Sequence, residues 1–103
     1  MIICNIQGGF GNHLLCVTLG VILAEKFDTK IYIYNKNGDG INDFSKDTRN
    51  TIFKVINNKI LTNDINNNNN NRYVINNSNQ YYDILNNNYS PKLNYVINTI
   101  HIG

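Results

Sequence analysis

The sequence predicts an α/β chain built on a partial, Rossmann-like parallel sheet. Three observations carry that expectation. Residues 1–7 (MIICNIQ) are short, apolar and rich in β-branched side chains, which suits a buried strand. Gly8, Gly9 and Gly11 follow at once and bound the strand with a tight loop over 8–12. Residues 13–27 then run apolar, with only His13, Thr18, Glu25 and Lys26 as polar interruptions, before residues 31–35 (IYIYN) return to a strand pattern. Strand, glycine loop, helix and strand form a βαβ unit over 1–35. Its crossover should be right-handed and its strands parallel.

The elements follow in order. The helix over 13–27 is apolar nearly all round, so burial on most sides is expected. Gly20 in its middle costs about 1 kcal/mol relative to alanine. Close approach to a neighbouring strand is the expected compensation. Residues 28–30 form a short turn, and residues 36–42 a Gly/Asn loop. Residues 43–56 suit a helix, with Phe44, Ile52, Phe53, Val55 and Ile56 as its apolar positions. Residues 57–71 include an unbroken run of asparagine from 66 to 71 and read as a low-complexity, Asn-rich surface insertion. A short strand is expected at 73–75, a helical turn at 81–85 and a last strand over 95–102. A final strand with no helix after it would leave a sheet partly uncovered. The expectation is therefore a single, incomplete α/β domain over 1–103.

Composition excludes several classes. The chain has 103 residues and a formal net charge of +2. Its basic residues are dispersed, with no stripe to track a polyanion, so no nucleic-acid partner is expected. There are 23 asparagines and 16 isoleucines but one alanine, one glutamate, one proline and no tryptophan. Asn, Ile, Lys and Tyr share A/T-rich codons, so an A/T-rich genome, such as that of some giant viruses, explains the bias. Cys4 and Cys16 lie in apolar runs and read as buried, reduced thiols rather than a disulfide framework. The longest apolar run, 14–24, is roughly half the 20 residues of a spanning helix. No charged segment precedes it as a signal peptide requires. A cytoplasmic chain without a transmembrane segment is expected.

The glycine loop is the feature that points to chemistry. Backbone N–H groups at a helix N-terminus lack intrahelical partners, and the helix dipole is positive there, so a glycine-rich entry suits an anion. A dinucleotide fingerprint needs a third glycine where Leu14 stands, and an acidic residue where the second strand ends in Tyr34-Asn35. A phosphate-binding P-loop needs a lysine after the glycines, and none follows.

A third pattern fits better. Ile6-Gln7-Gly8-Gly9-Phe10-Gly11-Asn12-His13-Leu14-Leu15, a helix ending Leu23-Ala24-Glu25-Lys26-Phe27 and the strand Lys30-Ile31-Tyr32 resemble the N-terminus of the α-1,2-fucosyltransferase family. Thr99-Ile100-His101-Ile102 resembles the approach to that family's H-x-R-R-G-D motif, and residues 78–84 its preceding aromatic segment. The resemblance covers residues 1–34 and implies the N-terminal lobe of a GT-B fold. It also implies inverting transfer of fucose from GDP-fucose to a sugar hydroxyl, with no metal and no resident cofactor. It makes Asn12 and His13 candidate catalytic residues, and Gly8, Gly9, Gly11 and His101 candidate donor-binding residues. A nucleotide-sugar donor and a glycan acceptor are the implied partners. His13 stands where the family has glutamine, and Gly103 where it has the first arginine. The expectation is thus a truncated transferase, inactive alone, with a complementing second lobe on an adjacent chain. The alternative is a non-enzymatic remnant or a sugar- or protein-binding module.

Other features carry less. No carboxylate orients His13 in sequence, and a capping or surface role competes with catalysis there. His101 has no second ligand at a metal-site spacing. Asn35-x-Asn37-x-Asp39-Gly40 opens like a calcium loop, but Lys46 stands where a bidentate glutamate is required. Two Asn-x-Ser triplets, at Asn76 and Asn88, are expected by chance in so asparagine-rich a chain.

Overall fold

A computed structural model describes residues 1–6, 10–34 and 71–98. The loop expected over 36–42, the helix over 43–56, the insertion through residue 70 and the end of the last strand beyond 98 lie outside the described residues. Strand β1 (Ile2–Asn5) leads through helix α1 (Phe10–Phe27) to β2 (Ile31–Tyr34). Strand β3 (Arg72–Ile75) leads through helix α2 (Ser78–Asn86) to β4 (Asn94–Ile97). The four strands form one sheet in the order β2-β1-β4-β3, and every pair is parallel. The order strand, helix, strand and the parallel pairing of the first βαβ unit are therefore as expected. The strand over 73–75 is present from Arg72, and the turn at 81–85 is a full nine-residue helix.

Register puts the core on one face. Ile2 lies opposite Ile31 and Tyr95, while Cys4 lies opposite Ile33 and Ile97. Side chains two apart along a strand share a face. Ile2, Cys4, Ile31, Ile75, Tyr95 and Ile97 therefore point together and are buried beneath the helices. Gly20 explains how closely α1 descends on that face. A Cβ built there would fall closer than 3.0 Å to Cys4 Sγ and would also meet Ile2 and Ile31. The expected close approach is real, and its floor is β1. Cys4 and Cys16 are both free and buried.

Two expectations about α1 are corrected. The helix starts at Phe10, so Gly11 and Asn12 belong to its first turn rather than to the loop. First-turn N–H groups have no intrahelical acceptor to lose, and Gly11 is not held at a left-handed φ, so helix is permitted from residue 10. Burial is also one-sided. His13, Cys16, Val17, Gly20, Leu23 and Ala24 form the buried stripe, whereas Ile22 is 40% exposed and Thr18 faces outward. The helix lies on one sheet face with α2 as a lateral neighbour, which leaves its far side open.

Both helices end on specific bonds. After α1, Asp28 takes φ 50°. The Thr29 N–H reaches the Ala24 carbonyl at 3.0 Å and the Asp28 N–H the Glu25 carbonyl at 3.4 Å, a Schellman closure of the helix. At the start of α2, the Asn77 side chain caps the Gln80 N–H at 2.9 Å, and the Gln80 side chain returns to the Asn76 N–H at 2.7 Å. At its end, the Lys26 ammonium of α1 donates to the carbonyls of Ile84, Leu85 and Asn87, the last two at 2.8 Å. The Tyr81 hydroxyl donates to the Leu19 carbonyl at 2.7 Å and ties the helices together midway. Phe27 stacks on Tyr95 with centroids 4.8 Å apart, closing the core below the end of α1.

Candidate functional site

In an open parallel α/β sheet, ligands bind beyond the carboxyl ends of the strands. Here that edge carries the end of β1 at Asn5, the end of β4 at Ile97 and the end of β3 at Ile75. Helix α1 begins four residues beyond Ile6, at Phe10, so its positive N-terminal end belongs to the same edge. No acidic side chain occupies its first turn.

The candidate residues separate here. Gly11 and Asn12 are exposed on the first turn of α1. Beyond its chain neighbours and the backbone of its own helix, nothing lies within 4 Å of where a Gly11 Cβ would stand, so the backbone there is open to approach. His13 faces the other way and is 1% exposed, which removes the surface role weighed against catalysis there. It begins the buried stripe of α1, one turn before Cys16 and Val17. Gly8, Gly9 and His101 lie outside the described residues. The structure thus brings Gly11 and Asn12 together on an accessible turn and turns His13 toward the sheet.

Sequence reasoning missed a row of amides on the same edge. Asn5 Nδ2 donates to Asn98 Oδ1 at 2.8 Å, and Asn98 Nδ2 donates to Asn76 Oδ1 at 2.6 Å. The row crosses from β1 over β4 to β3. It continues through the Asn76 N–H into the Gln80–Asn77 cap of α2. A signal was available in the chain. Tyr73-Val74-Ile75-Asn76 recurs as Tyr95-Val96-Ile97-Asn98, and the two copies pair in register from Tyr73↔Tyr95 to Ile75↔Ile97. Identical tetrapeptides on neighbouring parallel strands must deliver their asparagines side by side. Asn5, after Ile2-Ile3-Cys4, is the third member on the next strand.

The electrostatics are those of neutral groups. Cys16 and burial push the Cys4 thiol well above its usual range, so it stays protonated. Among the described residues no group of three or more His, Cys, Asp or Glu side chains is placed to hold a metal ion. Among them, too, no helix is long and apolar enough to cross a membrane. The chain was compared with family models, curated proteins and solved structures, and none of them matches it.

Proposed function

We propose that the chain is a glycosyltransferase-related α/β domain of the α-1,2-fucosyltransferase type. In this reading it receives the diphosphate of GDP-fucose at the N-terminal end of α1. One observation carries the reading: Gly11 and Asn12 stand exposed on the first turn of α1, beyond the carboxyl end of a central strand in a parallel sheet. A diphosphate that leaves gathers negative charge. Unpaired N–H groups at a helix start, together with a neutral amide donor, stabilise that charge without a metal. Gly8 and Gly9 would allow the backbone to approach the phosphates, Asn12 would donate from its amide, and the acceptor would be a glycan hydroxyl. The resemblance of residues 6–15 and 23–32 to that family supports the same assignment.

The test is a titration of the purified, 15N-labelled chain with GDP-fucose and with GDP, followed by amide shifts. Saturable shifts at Gly11 and Asn12 are expected, with a Kd of about 1 mM, near −4 kcal/mol. Asn12→Ala should weaken that binding at least tenfold. No shift at either residue with donor at about ten times that concentration would overturn the proposal. A second reading, a sugar-binding module without catalysis, is favoured by the burial of His13, which takes the only described histidine off the accessible turn.

A further inference from the structure

The amide row has a direction. Each carboxamide gives a hydrogen to the next, from Asn5 to Asn98 and from Asn98 to Asn76. Hydrogen bonds in such a chain polarise one another, which concentrates negative charge on the oxygen at its head. That oxygen is Asn5 Oδ1. It is shielded from solvent and has no hydrogen-bond partner, although the residue as a whole is only half-buried. A buried acceptor left unpaired is destabilising, and native proteins keep few of them. The terminal torsion of an asparagine is soft, so a hydroxyl that approaches this half-buried residue can draw the oxygen toward it at small cost.

We infer that Asn5, Asn98 and Asn76 form a subsite for the vicinal hydroxyls of a sugar ring, with Asn5 Oδ1 accepting the first hydroxyl hydrogen. The chemistry selects the ligand class. The head of the row is an unpaired acceptor, Asn5 Oδ1, which repels the oxygens of a phosphate or a carboxylate and calls for a donor. They alternate acceptor and donor along the sheet edge. A hydroxyl both donates and accepts, so two adjacent ones match an oxygen beside an N–H. The far end of the row is tied through the Asn76 N–H to the cap of α2, which lowers the ordering a ligand must impose. The inference rests on the proposed function only for the general location of the ligand. Its chemistry would hold for a plain sugar-binding module as well.

The hydroxyls come either from a ribose or from a hexose, and the experiment separates them. The 15N-labelled chain is titrated with guanosine, 2′,3′-dideoxyguanosine and L-fucose, and the side-chain NH2 signals of Asn5, Asn98 and Asn76 are followed. Guanosine or L-fucose is expected to shift Asn5 and Asn98 saturably. If the diol is the ribose, 2′,3′-dideoxyguanosine should bind at least tenfold more weakly than guanosine. Asn5→Leu should weaken the effective probe at least tenfold, and Asn76→Ala, at the far end of the row, less than threefold. The inference is overturned if no probe moves Asn5 or Asn98, or if Asn5→Leu leaves affinity unchanged. Should Asn5→Leu fail to fold, Asn98→Ala serves instead, with a loss of at least threefold expected and no loss counting against the subsite. Shifts at Gly11 and Asn12 with GDP but none at Asn5 would sink the subsite and leave the donor reading standing. The reverse pattern would do the opposite.

Discussion

Gly20 shows how much one position can decide. Alanine is better than glycine in a helix interior by about 1 kcal/mol. Gly20→Ala nevertheless drives a Cβ into Cys4 Sγ, in a core where overpacking costs typically about 1–3 kcal/mol. The second effect should win, since Cys4 is short and fully buried and cannot swing away. Gly20→Ala is expected to lower unfolding free energy by roughly 1–2 kcal/mol in urea melts. Cys4→Ala opens the space that the new methyl needs. The double variant should therefore recover most of the loss, with a coupling of at least about 1 kcal/mol in the cycle. Additive effects would mean that α1 does not rest on β1 through this pair. A glycine in an otherwise apolar helix was a legible sign of close approach. That the neighbour is Cys4 was not legible, because sequence spacing does not say which turn of a helix crosses which strand residue. Asparagine taught the opposite lesson. Its abundance is what an A/T-rich genome would produce, yet Asn77 caps α2, Asn87 bonds Asp83, and Asn5, Asn76 and Asn98 join three strands.

At the scale of elements, Lys26 links two helices that the sequence presented as unrelated. It belongs to the last turn of α1, where a cation is favourable in its own right. Its ammonium crosses to the last carbonyls of α2, which otherwise have no intrahelical donor. Hydrogen bonds to a charged donor are worth about 1.5–3 kcal/mol each when well shielded, and less at an exposed site such as this one. Lys26→Met keeps the stem and removes the donor. It is expected to cost roughly 1–2 kcal/mol and to raise amide exchange in the last turn of α2 while β1 stays protected. Uniform exchange across the chain would show instead that the lysine acts on global stability alone. The lysine at the end of α1 was visible as part of a family-like pattern. Its acceptors lie 58 to 61 residues further on, and no local rule reaches that far. The extent of α2 was underestimated for a different reason. Asn77 and Gln80 supply its start, but a chain with so many asparagines hides one cap among many.

Across the molecule, β4 is the element on which the rest depends. It is last in the described chain but lies between β1 and β3, so its pairing with β1 joins the two βαβ halves within the described sheet. The first half was legible because strand, loop, helix and strand follow one another locally. The insertion of β4 was not, because pairing across more than 90 residues is chosen by the whole sheet. The joint should therefore be sensitive where β4 is buried and insensitive at the sheet's edge. Ile97 is fully buried on the helix-facing side, whereas Val74 of edge strand β3 is 43% exposed. Ile97→Ala should cost about 2–5 kcal/mol, a large share of the roughly 5–15 kcal/mol that holds a domain together. Val74→Ala should stay within about 0.5 kcal/mol. The two free thiols give a direct readout. Cys16 Sγ lies 3.5 Å from the Ile97 carbonyl, and Cys4 pairs with β4 opposite Ile97. Both thiols are buried, and that of Cys4 is held protonated, so labelling by a thiol reagent must wait for the sheet to open. At a tenfold change per 1.4 kcal/mol, Ile97→Ala should speed labelling of both by roughly 30- to 4,000-fold. Val74→Ala should change it by less than about threefold. Equal rates in the two variants would mean that the thiols are reached by a local movement of α1, and that β4 does not hold the halves together.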